Sequence, residues 1–217
     1  MLLQNLTWLR ELYLDSVDIS AVGSEWCQAI SSSLPKLQIL SLRDCGLSGP
    51  MHHSLSRLHS LSVVQLDNNN MSSVVPNFFA NFTSLTTLSL RHCGLKGSFS
   101  EMIFQVPTLE YLDLSKNELL TGTIPQFHQN ASFRLISLQY TNFSGSLPDS
   151  IGNLSMLSLL YLYKCSFTGP IPSTMVTLTE LIYMDLSWNF FTGTIPGSLF
   201  GLPSLQKLKL SNNQLSG

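Results

Sequence analysis

Three groups of side chains in this sequence could do chemistry. Tyr111, Tyr140, Tyr161, Tyr163 and Tyr183 gather in the second half of the chain with Trp188, Lys116 and Lys164. Exposed aromatic rings beside a few cations are the composition of protein-recognition hot spots, so these eight are the candidate ligand-binding residues. Six Asn-x-Ser/Thr triplets, at Asn5, Asn70, Asn81, Asn130, Asn142 and Asn153, are acceptors for N-linked sugar. Four cysteines, Cys27, Cys45, Cys93 and Cys165, could in principle pair, ligate a metal or act as nucleophiles. The five histidines, His52, His53, His59, His92 and His128, do not stand at ligand spacing with Cys, Asp or Glu, and His52-His53 reads as a solvated pair in an outer loop. No nucleophile elbow, phosphate loop or dinucleotide glycine cluster is present, and Asp113 and Asp185 belong to a recurring Leu-Asp-Leu-Ser phrase. These features lead to the expectation of a binding protein, with no enzyme activity, metal or cofactor.

What must position these residues is a leucine pattern that returns every 24 residues. The segment L-x-x-L-x-L-x-x-N/C-x-L opens at Leu37, Leu61, Leu85, Leu109, Phe133, Leu157, Leu181 and Leu205, preceded by a first unit from Leu9. One such unit cannot bury its own apolar edge and becomes stable only when stacked on copies of itself. The expected fold is therefore an α/β right-handed solenoid. A parallel β-sheet lines its concave face, with turns and short 3-10 or α helices on the convex face. Residues 1–217 read as a single array of about nine repeats, uncapped at both ends like a fragment, and on that basis poorly soluble when expressed alone.

The period sorts each residue. Leu157, Leu160 and Leu162 point inward around a short strand, and Leu159, Tyr161 and Tyr163 face the other way. The second, fourth, sixth and seventh residues after each opening leucine are then outward-facing. All six tyrosines fall there and none of the twelve phenylalanines does, as expected of a wet face, because the phenol needs a polar partner. Asp15, Arg43, Asp67 and Arg91 share one such position in successive units and read as a cross-strand ion-pair ladder. Asn69, Asn117, Asn189 and Asn213 occupy a buried position that can satisfy the turn leaving the strand. Cys45, Cys93 and Cys165 replace them at that position. Two repeats separate the nearest of these, roughly 10 Å at ~4.8 Å per strand, which is too far to bridge, so four free cysteines are expected. The longer first unit carries Ser24 to Ile30, read as a helix capped by Ser24 with Trp26, Ala29 and Ile30 buried. Ser173 to Leu178 reads as a short helical turn capped by Ser or Asn. The Gly-x-Ile-Pro block and the sequons at Asn5, Asn70, Asn81, Asn142 and Asn153 are placed in turns, where a glycan could project.

Only 11% of the 217 residues are charged and the formal net charge is -2, which gives no nucleic-acid footprint. No apolar run is long enough to span a bilayer, so a membrane connection would need segments absent from this chain.

The phrase L-x-x-L-x-L-x-x-N/C-x-L-x-G-x-I-P resembles the plant extracellular leucine-rich repeat. The Glu25-Trp26-Cys27 insert, Leu40-Ser-Leu-Arg-Asp-Cys45, Phe104-Gln-Val-Pro107 and Gly145-Ser-Leu-Pro-Asp149 are similar to the ectodomains of Verticillium wilt resistance receptor-like proteins. The resemblance implies the outer side of the plasma membrane and an extracellular protein or peptide as ligand. It also implies a role in plant defence, a single membrane span elsewhere, and co-receptor kinases that supply catalysis. A soluble apoplastic inhibitor of a pathogen cell-wall polygalacturonase, which uses the same concave face, is the alternative.

Overall fold

The computed structural model describes residues 6–216. Nine short strands form one parallel sheet: β1 (Glu11–Tyr13), β2 (Ile39–Ser41), β3 (Val63–Gln65), β4 (Thr87–Ser89), β6 (Tyr111–Asp113), β8 (Leu135–Ser137), β10 (Leu159–Tyr161), β12 (Tyr183–Asp185) and β14 (Lys207–Lys209). Their register advances by one repeat per strand, with Leu88 opposite Leu112 and Leu160 opposite Met184. The middle residue of each strand points inward, and Leu40, Leu88, Leu112, Ile136 and Leu160 are fully buried. The flanking residues face the open side. This is the expected α/β leucine-rich-repeat solenoid.

A second parallel sheet lies on the flank, where sequence reading anticipated only turns. It comprises β5 (Lys96–Ser98), β7 (Asn117–Gly122), β9 (Thr141–Ser146), β11 (Ser166–Gly169), β13 (Phe190–Thr194) and β15 (Gln214–Ser216). The glycines of the Gly-x-Ile-Pro blocks stand inside these strands. Gly145, Gly169 and Gly193 have φ of 83°, 75° and 77°, a bend that carries the chain from the flank to the convex side and favours a residue without Cβ.

The convex side is built from 3-10 turns and one α helix, α1 (Gly23–Ser33). Here the expected caps are corrected. The residue before α1 is Val22, without a side-chain cap, and Ser24 lies inside the first turn. The start is set by packing: a Cβ on Gly23 would sit 1.8 Å from the Pro50 carbonyl oxygen, so only glycine fits. Trp26 and Ile30 are buried as expected, joined by Cys27, while Ala29 is half-buried. The 3-10 turns Asn77–Asn81, Asp149–Asn153, Ser173–Thr177 and Gly197–Gly201 all follow a proline with no side-chain cap. A proline suffices because its carbonyl accepts the first bond, as from Met175 N–H at 3.2 Å, and its missing donor costs nothing there. His52 is the exception: its Nδ1 accepts from Ser54 N–H at 3.2 Å and caps His53–Arg57.

The buried Asn column works as sequence reading anticipated and also ties each repeat to the one before. Asn117 Oδ1 accepts from Cys93 N–H and Leu95 N–H, both at 3.0 Å, while its Nδ2 donates to the Leu90 and Leu114 carbonyls at 2.9 and 2.8 Å. Cysteine keeps part of this pattern. The thiols of Cys93 and Cys165 reach Leu66 and Leu138 carbonyls at 3.1 and 3.0 Å, the equivalent acceptors one repeat back. All four cysteines are buried and free. Burial pushes Cys27 and Cys93 up to about 12 and Cys165 to about 11, so their thiols stay protonated and inert.

The acid–base ladder is only partly an ion-pair ladder. Arg43 Nε lies 3.2 Å from Asp67 Oδ2. The other half of the pattern is backbone work: Asp15 Oδ1 accepts from Arg43 N–H and Asp67 Oδ1 from Arg91 N–H, both at 2.9 Å. A carboxylate at this position satisfies the first donor of the next turn, whatever the side chain beyond it.

A candidate ligand-binding face

Two aromatic and cationic groups lie toward the C-terminal end of the concave sheet, one on its strands and one in the turns beyond them. Tyr183 on β12 lies beside Tyr161 on β10, ring centroids 4.8 Å apart. On β14 the register places Lys207 opposite Tyr183 and Lys209 opposite Asp185. The two ammonium groups stand 5.4 and 5.7 Å from the Tyr183 ring centroid, within cation–π range. Lys209 also pairs with Asp185 at 3.3 Å, and these hydrogen bonds to Tyr183 and Asp185 raise its pKa. Asp185 is buried, accepting from Ser187 N–H at 3.0 Å and from the Tyr183 hydroxyl at 3.2 Å.

One turn further along each repeat, Tyr140 meets Tyr163 edge to face at 5.0 Å, with Lys164 Nζ 5.1 Å from the Tyr140 ring. The Tyr140 hydroxyl, then partial burial, raises the pKa of Tyr163. Asp185 adds to this and Lys209 opposes it. Burial is the first cause of the raised pKa of Tyr161, followed by Tyr183 and Asp113. Tyr161 and Tyr163 therefore present neutral hydroxyls, and the side chains of Lys164 and Lys207 stand over rings without a carboxylate partner among the described ion pairs.

The structure corrects where some candidates stand. Tyr111, Tyr161 and Tyr183 are on strands, but Lys116, Tyr140, Tyr163, Lys164 and Trp188 lie in the turns beyond them. The seventh position of every repeat has a left-handed backbone: Lys116, Tyr140, Lys164 and Trp188 have φ of 58°, 56°, 52° and 58°. That conformation is rare for such side chains and is held by the next repeat, as in Trp188 N–H donating to Ser211 O at 3.0 Å. Tyr111, Lys116 and Trp188 contribute to none of the ring pairs above, although Tyr111 and Trp188 are well exposed. Sequence reading missed Lys207, Lys209 and the supporting Asp185. The signal was available, since Lys207 and Lys209 occupy the second and fourth positions after Leu205.

Of the six sequons, Asn5 lies outside the described residues. Asn70, Asn81, Asn130 and Asn142 are exposed; Asn142 sits on β9 of the flank sheet, not in a turn. Asn153 is half-buried, and its Nδ2 donates to the Phe127 carbonyl at 3.0 Å. Among the described residues no cluster of His, Cys, Asp and Glu could hold a metal, and no helix is long and apolar enough to cross a membrane.

With a repeat register, a buried Asn/Cys column and a concave sheet in hand, the class is clear: the chain belongs to the leucine-rich-repeat family. Family models described as leucine rich repeat match residues 35–95 and 168–215, and further repeats match residues 108–130 and 132–154. The chain is similar to Receptor-like protein 32 of Arabidopsis thaliana, 39% identical over 57 residues that make up 26% of this chain and 6% of that protein. It superposes on the ectodomain of the plant membrane receptor kinase GASSHO1/SCHENGEN3 from Arabidopsis thaliana, solved in complex with CASPARIAN STRIP INTEGRITY FACTOR 2. That TM-score is 0.85 at 30% identity, covering 96% of this chain and 25% of the other. It likewise superposes on the plant peptide hormone receptor RGFR1 in complex with RGF2, TM-score 0.86 at 31% identity, covering 98% of this chain and 34% of the other.

Proposed function

We propose that this chain is the ligand-recognition part of a plant cell-surface receptor-like protein, binding an extracellular peptide or protein and signalling in defence through partner kinases. One observation carries the proposal: on an otherwise sparsely charged chain, four tyrosines and three lysines gather in two ring-and-cation groups toward one end of the concave side. Rigid rings supply contact area at small entropic cost, and the cations add orientation. The likeness to ligand-bound plant receptors, one of them a peptide hormone receptor, supports a ligand-binding role. The receptor kinase HAESA, solved with a peptide ligand, shares the fold at 28% identity and a TM-score of 0.67. The finer kinship with Verticillium wilt resistance proteins, the external location and the co-receptor kinases are part of this proposal, resting on the motifs quoted above.

Selection of displayed random peptides on the immobilised chain tests it. Peptides enriched on the wild type should lose about 30- to 100-fold in affinity on the Tyr163→Ala Tyr183→Ala double variant, the scale of one or two interface hot spots. Tyr13→Ala, at the opposite end of the face, should leave affinity unchanged. Equal binding by wild type and double variant would remove the patch from the ligand site.

A further inference from the structure

An open groove lies away from that patch, on the flank of the second to fifth repeats. It is a groove of about 670 Å³ with Asp44, Asn68, His92 and Lys116 along one wall and Gly46, Asn70, Gly94, Glu118 and Leu119 along the other. Asn70 stands in the middle of that second wall and heads an Asn-Met-Ser sequon.

The groove has a specific cause. The ninth position after the opening leucine carries Gly46 in the second repeat, Asn70 in the third and Gly94 in the fourth. Asn70 is thus flanked on both sides by residues without side chains. A Cβ on Gly94 would come within 3.2 Å of Asn70 Oδ1, so glycine there leaves the Asn70 carboxamide uncrowded. Asn142 occupies the same ninth position in the sixth repeat but stands on β9, where Ser166 Oγ donates to its Oδ1 at 3.0 Å. Two sequons at equivalent positions therefore meet different surroundings, a groove and a flat sheet.

We infer that the groove is a cradle for the first sugar residues of an N-linked glycan on Asn70. This rests on the reading of the chain as extracellular. The lining suits a neutral, hydroxylated ligand. The carboxylates Asp44 and Glu118 share the lining with Lys116 and His92, so hydroxyls find both donors and acceptors. Leu119, 69% exposed, offers an apolar surface to an N-acetyl methyl group or a pyranose face. The Asn70 carboxamide is already oriented: its Oδ1 accepts from Ser72 Oγ at 2.5 Å, leaving Nδ2 for the sugar. An oligosaccharyl diphosphate lipid supplies the sugar. The anomeric carbon leaves its phosphate oxygen and bonds to Nδ2, the lipid diphosphate departs, and the displaced amide proton passes to base. Asn153, whose Nδ2 is engaged by the Phe127 carbonyl, is the poorer acceptor.

The test is to secrete the full chain from eukaryotic cells, map its glycopeptides, and follow removal of each glycan from the native protein by a peptide N-glycosidase. Asn70 should be occupied, and its glycan should be released at least 10-fold more slowly than that on Asn142. The two rates should become equal in denaturant, and Lys116→Ala Leu119→Ser should accelerate release at Asn70 alone. An unmodified Asn70 beside a glycosylated Asn142 or Asn81 would overturn the cradle while leaving the extracellular reading intact, and equal native release rates would do the same. A chain free of sugar at every sequon would overturn both.

Discussion

Replacing Asn117 by alanine removes five hydrogen bonds at once, because its side chain serves two amides of one turn and three carbonyls around it. The residue is 1% exposed, so no water replaces the lost acceptor for Cys93 N–H and Leu95 N–H. Each orphaned donor costs about 1–3 kcal/mol, and the small void adds to that, giving about 3–6 kcal/mol in total. Asn117→Cys should cost less, about 2–5 kcal/mol, since the thiol can donate to the Leu90 carbonyl just as Cys93 donates to Leu66 but does not replace the acceptor of the two amides. Against a total stability of about 5–15 kcal/mol, and with each repeat touching only its neighbours, the alanine variant should lose cooperativity around the fourth and fifth repeats. Urea unfolding followed by circular dichroism gives the two differences, and hydrogen exchange locates them. If alanine costs no more than cysteine, the inter-repeat amide ladder is not what holds adjacent turns together.

Gly23→Ala should destabilise by about 1–3 kcal/mol or prevent folding, because the new methyl collides with the Pro50 carbonyl oxygen. Gly197→Ala has open space around its Cβ and should raise stability by about 0.4–1 kcal/mol; thermal melts of the pair check the contrast. Iodoacetamide should label none of the four buried cysteines in the native chain at pH 8 and all four in urea, and the intact mass should show no disulfide. Burial opposes the ionised form of Asp15, but hydrogen bonds from Ser41 and from Arg43 N–H outweigh it and lower the folded pKa. Its stabilisation is therefore complete above the ordinary aspartate value of about 3.9 and lost as pH falls through the lower folded value. Asp15→Asn should flatten that part of the pH–stability curve, and an unchanged slope would refute the assignment.

The ligand face was legible for the residues on strands and less so for those beyond them. Tyr161 and Tyr183 follow from an alternation of period two, which any outward strand position obeys. Tyr140, Lys164 and Trp188 were placed on the same face but in fact occupy a left-handed turn, a conformation their identities argue against. Lys207 and Lys209 stand at outward positions legible from the repeat, but only the structure sets both ammonium groups over the Tyr183 ring.

By itself the sequence determined the solenoid, the nine-strand concave sheet, the buried Asn/Cys column and the separation of Tyr from Phe. All of these are consequences of a strict repeat whose apolar positions must stack on their copies. Only the tertiary structure decided what depends on contacts between neighbouring repeats. Where Asn117 follows, the amide of Leu95 bonds its side chain and the chain runs on into β5. Where Cys93 follows, the amides of Met71 and Ser72 turn to the Cys93 carbonyl instead, and Ser72 takes φ 46°. Cys45 treats Ile19 and Ser20 the same way. In these two repeats the chain bends away from the flank, whereas ahead of Cys165 the hydroxyl of Thr141 takes the Phe143 amide and the chain runs on into β9. The course of the chain along the flank thus rests on contacts between neighbouring repeats that a single repeat does not reveal.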